Sequence, residues 1–327
     1  MKKARPHFLI LGGTGSIGYA FTKVLLQHNE QVTLLARNRQ KAEMLFGQHP
    51  TLTIAEGDAQ DLELLMKLGA EATHVFHGVN YPYEQWADNM ERVTRNVVEA
   101  AAKTQYTILF PGNIYNYGLT NPIRETSPFA PNSKKGAIRA KLEQMLQEAA
   151  EEGKCRVINL RMPDFFGPNV MNEGIAPIFK GALTGKAMPW LCRNDIPHQL
   201  VYTPDAARAF YELMQLQPAE PYALYNYAGE VVPSVKEWQA QIARAAGTEA
   251  KHKLYPAWLF KAMGLFSPGM REISEMSYLW ENTILLNDDK LRHTLPDLPR
   301  TPMSQAIGET LAWFEQHLKA GKKAAVA

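Results

Sequence analysis

The stretch Leu9-Ile10-Leu11-Gly12-Gly13-Thr14-Gly15-Ser16-Ile17-Gly18 decides the fold. Phe8-Leu9-Ile10-Leu11 is a short continuous apolar run, the pattern of a strand buried on both faces. From about residue 17 to 28 the apolar residues take helical spacing, so the glycines at 12, 15 and 18 fall at a strand-to-helix turn. A bound pyrophosphate needs close backbone approach and free N–H groups at a helix N-terminus, and glycines supply both. A tight turn without a ligand would use the same glycines. The apolar strand before, the amphipathic helix after and a second strand beyond favour the dinucleotide reading. Gly12, Thr14, Gly15, Ile17 and Gly18 are expected around the pyrophosphate, with Gly78, after a fourth apolar run, in the same cofactor set.

Working outward, short apolar runs alternate with helical segments as far as Leu109. The runs are Phe8–Leu11, Val32–Leu35, Leu52–Ile54, His74–Phe76 and Thr107–Phe110, with helices expected near 17–28, 39–47, 60–68 and 88–103. A sixth run, Arg156–Leu160, follows a helix expected over 134–152. This alternation predicts βαβ units, hence an α/β fold with a doubly wound parallel sheet (Rossmann). After Gly167-Pro168 the alternation weakens. A Rossmann domain is expected over 1–167, rejoined by about 201–232, with a second, smaller, mainly helical substrate lobe from 168–200 and 233–327. Thr203 reads as an N-cap before Pro204, and Ser234 with Glu237 as a capping box.

Composition removes several function classes. The 327 residues are 46% hydrophobic and 21% charged, with a net charge of +2 and no long block of one sign. Such a chain is globular and carries no electrostatic footprint for nucleic acid or an anionic membrane. Cys155 and Cys192 are the only cysteines, so a disulfide framework is not expected and a reducing cytoplasm fits best. Met1-Lys2-Lys3 ahead of Phe8 is signal-like, but the apolar run meets glycine within a few residues, and a soluble first strand is expected instead. A small-molecule substrate is the expected partner, and a homodimer is compatible with these features.

The second strand ends in Leu35-Ala36-Arg37-Asn38-Arg39. An acidic residue there would bind the ribose hydroxyls of NAD, whereas a cation faces the 2′-phosphate of NADP. The absence of a carboxylate favours NADP over NAD, with Arg37 at the phosphate; Arg37 and Arg39 as solvated surface charges are the alternative. Asp58, after the third strand, is placed either to accept from the adenine amino group or to cap the next helix.

With these pieces in order, the chain resembles the extended short-chain dehydrogenases/reductases, the group that includes sugar-nucleotide epimerases and dehydratases. The resemblance runs over nearly the whole length: Gly12/Gly15/Gly18, Gly57-Asp58, Tyr117-Gly118, Arg161 to Gly167-Pro168, Val201 to Ala207 and Tyr225 to Gly229. It implies a cofactor site and, after the fifth strand, a catalytic Ser or Thr followed by a Tyr-x-x-x-Lys pair on the next helix. Here the pattern departs. The serine position falls on Asn113, the tyrosine on Lys135 and the lysine on Arg139; a register that keeps Lys141 leaves Ala137 at the tyrosine. This places the chain among atypical members, some enzymes with other groups and some dinucleotide-binding sensors.

Lys135 and Arg139, four apart, would share one helix face, and two close cations would lower the Lys135 pKa toward a proton donor's. The alternatives are ribose or phosphate anchors, or exposed charges. Asn113 can donate its amide to a substrate oxygen. Asp164, between apolar neighbours after the sixth strand, would be raised in pKa by burial or would serve a structural role. Tyr115 and Tyr117 are further phenols, Tyr117 expected under the loop. His74 and His77 lie three apart on a strand and point to opposite faces, so no metal site is expected. The aromatic and Met residues of 256–280, among them Trp258, Phe260, Met263, Phe266, Met270 and Tyr278, read as core, an oligomer face or an apolar substrate pocket. Two functions follow: an oxidoreductase or epimerase/dehydratase-like enzyme acting on a carbonyl or alcohol with Asn113, Lys135, Arg139 and Asp164, or a non-catalytic NADP-binding redox sensor.

Overall fold

The structure is a computed structural model that describes residues 6–326, with the side chains of 260, 261, 268 and 320–326 outside the description. In chain order the first half runs β1 (His7–Leu11), α1 (Ser16–Gln27), β2 (Gln31–Ala36), α2 (Arg39–Phe46), β3 (Leu52–Glu56), α3 (Leu62–Gly69), β4 (His74–His77), α4 (Trp86–Thr104), β5 (Thr107–Gly112), α5 (Lys134–Glu151) and β6 (Arg156–Arg161). There follow β7 (Asp164–Phe166), α6 (Ala176–Thr184), β8 (Met188–Leu191), β9 (His198–Tyr202), α7 (Thr203–Leu216), β10 (Tyr222–Asn226), β11 (Glu230–Val232), α8 (Val235–Ala245) and β12 (His252–Tyr255). The chain closes with α9 (Ala257–Gly264), α10 (Pro268–Glu275), α11 (Tyr278–Glu281), α12 (Asp289–Thr294) and α13 (Met303–Val326).

Among the described residues a seven-stranded sheet has the order β10-β6-β5-β4-β1-β2-β3, every pairing parallel. The order reverses between β1 and β4, which opens a crevice at their carboxyl ends, the place where doubly wound sheets bind ligands. Both faces of the sheet are covered, because β1 is apolar at every position after His7. Phe8 and Ile10 pack with Phe21, Phe76 and Phe210 under α1 and α7, whereas Leu9 and Leu11 pack with Val93, Val97 and Leu146 under α4 and α5. Each such fully buried side chain contributes about 1.5–3 kcal/mol relative to exposure.

Two smaller sheets, β11-β9-β7 and β12-β8, join α6, α8 and α13 around a separate aromatic core of Phe166, Phe179, Trp238 and Phe314. Helix starts follow their caps. Asn38, Asp61, Ser133 and Ser234 accept backbone N–H groups at the starts of α2, α3, α5 and α8. Asp61 caps α3, so the capping alternative for Asp58 is wrong. Thr203 is the first residue of α7, with Tyr202 at the cap, one position away from the sequence expectation.

The 256–280 segment is divided. Met276 and Leu279 are buried, whereas Trp258, Leu265 and Phe266 are exposed, Phe266 at 90%. Phe260 lies outside the described side chains. Neither cysteine forms a disulfide among the described residues, and both are buried. No helix among the described residues is long and apolar enough to cross a membrane.

Candidate functional site

The glycine loop after β1 lies in the crevice. Gly12 has φ +80, and a Cβ there would sit 2.2 Å from the Gly78 carbonyl oxygen. A Cβ on Gly18 would sit 2.4 Å from the Gly12 oxygen, so the first turn of α1 packs directly on the loop. Gly15 is exposed and caps α1 without a side-chain hydrogen bond, which leaves the helix N-terminus open to an anion. Thr14 is half-buried, and its carbonyl accepts the Asn169 amide at 3.3 Å. Ile17 is buried beneath the loop. The structure thus brings the five residues expected around the pyrophosphate into one loop and helix start, with Gly78 packed against Gly12.

At the end of β2 the two arginines part. Arg39 donates to Glu43 at 2.8 Å and to the Ile54 carbonyl at 3.2 Å. Arg37 lies with its guanidinium 5.6 Å from the centre of the Tyr81 ring and makes no hydrogen bond among the described residues. Asp58 accepts the Gln60 N–H at 2.9 Å through Oδ1 alone.

On the other side of the crevice, past β4 and β5, two phenols meet. The Tyr83 and Tyr115 hydroxyls are 3.0 Å apart. Burial raises both above the ordinary tyrosine value, Tyr115 well above it, and the Asp164 carboxylate adds to both shifts. Asn113 accepts the Tyr115 N–H at 3.2 Å, and its amide nitrogen has no partner among the described residues. Tyr117 is buried beneath the Arg161 guanidinium, 4.6 Å from its ring centre, as expected for a packing residue. Arg161 itself is taken up by the buried Glu143.

Lys135 and Arg139 are not exposed charges: they are 3% and 6% accessible. They also diverge. The Lys135 ammonium pairs with Glu272 and its N–H donates to Glu275 at 3.0 Å, both on α10. Arg139 turns inward, donating to the Pro111 carbonyl at 2.8 Å over the Phe110 ring, and its Nε has no partner among the described residues. The Lys135 pKa is lowered, chiefly by burial and secondarily by Lys134. The expected cause, repulsion from Arg139, is therefore corrected.

Asp164 is half-buried and accepts from His198 Nε2 at 3.0 Å, so its neighbourhood is not the apolar one expected. Sequence reasoning missed His198, Tyr83, Glu272 and Glu275. A phenol just past β4 was a readable signal for Tyr83, because the carboxyl ends of strands carry the site. Nothing local pointed to the other three. His74 stacks on Phe8 and His77 bonds to Thr94, and among the described residues no group of three side chains has the makings of a metal site. A cavity of about 510 Å³ lined by His74, Thr107 and Arg156 lies at the opposite, amino edge of the sheet.

A family model described as the NAD dependent epimerase/dehydratase family matches residues 8–228. The dTDP-6-deoxy-L-talose 4-dehydrogenase (NAD(P)(+)) of Kitasatospora kifunensis is 26% identical over 171 residues, 48% of this chain and 52% of that protein, so the chain spans only about half that relative's length. The UDP-glucose 4-epimerase of Corynebacterium glutamicum is 25% identical over 248 residues, 68% of this chain and 72% of that protein. Among solved structures, the Bordetella bronchiseptica enzyme WbmH in complex with NAD+ superposes with a TM-score of 0.75 at 19% identity, covering 96% of this chain and 99% of that one. At that identity the likeness is one of fold.

Proposed function

The chain belongs to the NAD dependent epimerase/dehydratase family, and from that premise we propose that it is an NADP-dependent enzyme of the oxidoreductase or epimerase/dehydratase kind. Its substrate is a carbonyl or alcohol, and its active-site residues are atypical. The observation that carries this reading is the pairing of a glycine cradle with a cluster of hydroxyl and amide groups across the same crevice. The cradle fits a dinucleotide, since the close backbone packing at Gly12 and Gly18 keeps the turn tight while Gly15 leaves the α1 N-terminus without a side-chain cap, open to a phosphate. When bound, the nicotinamide supplies hydride exchange with a substrate carbon.

The chain's own residues do the rest. Gly12, Thr14, Gly15, Ile17, Gly18 and Gly78 hold the pyrophosphate region, and Asp58 accepts from the adenine. Arg37, with its donors open, meets the 2′-phosphate. Arg139 is assigned to the ribose side of the cofactor, its buried Nε being without a partner among the described residues. Asn113 donates its free amide to the substrate oxygen. Lys135 is engaged by α10 and does not donate a proton. Tyr115, a phenol already protonated at neutral pH and raised further by burial, takes that role with Tyr83 behind it, and Asp164 with His198 borders the pair.

Titration calorimetry with NADP+ and NAD+ tests the reading. Wild type is expected to prefer NADP+, and Arg37→Ala to lose about tenfold or more in NADP+ affinity, as for a charge-assisted contact of about 1.5–3 kcal/mol, with NAD+ affinity little changed. Equal wild-type affinities would remove the NADP assignment. The sensor reading has one observation in its favour: neither helix residue at the family's Tyr and Lys positions is poised toward a reacting atom. Tight NADPH binding without turnover across carbonyl panels would select it.

A further inference from the structure

We propose that the substrate side of this site accepts an uncharged, unphosphorylated alcohol or ketone and rejects nucleoside-diphosphate sugars, the substrates carried in the names of its relatives. The inference rests on the enzyme reading above and narrows it. A diphosphate brings two negative charges into a cleft, and it needs cations or N–H groups that the protein has left open. Here Lys135, Arg161 and His198 are already engaged by carboxylates of the chain itself.

The first turn of α5 is the natural anion seat on this side of the crevice. Glu275 already accepts the Lys135 N–H there, and Glu272 takes its ammonium. The imidazole of His198 is bonded to Asp164, and the Arg161 guanidinium to Glu143. Arg139 lies deeper, turned to the Pro111 carbonyl on the cofactor side. Lys134 is exposed and has no ion pair among the described residues. Glu84 stands near Lys135 as well, so the five carboxylates Glu84, Glu143, Asp164, Glu272 and Glu275 outnumber the four permanent cations Lys134, Lys135, Arg139 and Arg161.

Asp164 acts on the reacting groups directly: its charge is felt at both the Tyr83 and Tyr115 hydroxyls. A phosphate drawn to that point would meet a carboxylate, a repulsive element of the kind that sets specificity. A neutral oxygen meets no such cost. It finds the Tyr115 hydroxyl and the Asn113 amide as donors, the Tyr115 ring being held from behind by the buried Trp86 at 6.3 Å.

The experiment uses full-length protein saturated with NADPH, with cofactor binding measured first. Absence of cofactor binding overturns the enzyme reading itself and is thereby separated from the present inference. UDP-glucose and dTDP-glucose are then titrated calorimetrically beside uncharged cyclic ketones, alcohols and free sugars, and the phosphorylated counterparts of those sugars. The expected result is saturable binding or NADPH turnover with uncharged members alone. Micromolar binding of either nucleotide sugar, preference for a phosphorylated member, or no binding by any uncharged member overturns the proposal. The double variant Asp164→Asn/Glu272→Gln, checked for unchanged NADPH affinity, is expected to gain at least tenfold in nucleotide-sugar binding. No gain in a folded variant overturns charge as the cause.

Discussion

The Glu275 carboxylate accepts the backbone N–H of Lys135 at 3.0 Å across a separation of 140 residues, and Glu272, one turn earlier on α10, takes the Lys135 ammonium. A C-terminal helix is thereby clasped to the first turn of α5, where an α-helix has open N–H groups and favours negative charge. Lys135 is thus a tether between α5 and α10, and the proton-donor role is the one proposed for Tyr115 instead.

The tether separates stability from turnover. Glu272→Gln leaves the buried Lys135 ammonium without its anion and is expected to cost about 1–3 kcal/mol. Lys135→Met removes the charge at similar volume and is expected to cost less, because Glu272 is 20% exposed and can return to water. Urea unfolding measures both. With a substrate in hand, Lys135→Met should lower kcat less than tenfold; a larger loss would restore Lys135 as the donor.

Tyr115→Phe removes the assigned proton donor and should reduce kcat by about 10²–10⁴-fold while NADPH affinity stays within about threefold. Tyr117→Phe, a change beneath the Arg161 guanidinium, should leave kcat nearly unaltered. Because burial raises the Tyr115 pKa, carbonyl reduction should stay flat with pH up to about 9 with respect to this group. Equal losses in the two variants would refute the assignment.

His77 sets an acid limit. It is 2% accessible, and burial, with the Arg139 charge second, lowers its pKa to about 3. In the unfolded chain it takes up a proton near pH 6.5, so between about pH 6.5 and 3 the unfolded state binds more protons and stability falls as pH falls. His77→Gln should therefore flatten the decline in unfolding free energy between about pH 6.5 and 4.5, where an intact group contributes up to about 1.4 kcal/mol per pH unit. An unchanged slope in the variant would show that His77 is not responsible.

Two glycines should respond with opposite signs. Gly18→Ala places a Cβ 2.4 Å from the Gly12 carbonyl oxygen, and the loop must move, which is expected to cost about 1–3 kcal/mol and to weaken dinucleotide binding. Gly308→Ala, in α13, meets nothing within 4 Å and should stabilise by about 0.5–1 kcal/mol. Thermal unfolding with and without NADP+ reads both effects.

What was legible in the sequence was what depends on neighbours along the chain. Strand runs appear because β1, β2, β4, β5 and β6 are largely buried, and helix starts follow Asn38, Asp61, Ser133 and Ser234, each of which satisfies an N–H group three residues away. Asp58 was misjudged as a possible cap because Asp61, three residues on, offers the same chemistry. The Lys135 environment was misjudged because spacing on one helix says which residues share a face and nothing about what lies opposite.

The sequence by itself determined the parallel sheet, the glycine turn after β1 and the absence of any Tyr-x-x-x-Lys pattern along α5, since each follows from residue type and spacing along a short stretch of chain. Only the tertiary structure decided that Lys135 is held by Glu272 and Glu275, that Tyr83 meets Tyr115, and that Asp164 holds His198. Those contacts join segments from different strands and from α10, and a buried charge or hydroxyl must find its partner wherever the packed chain provides one.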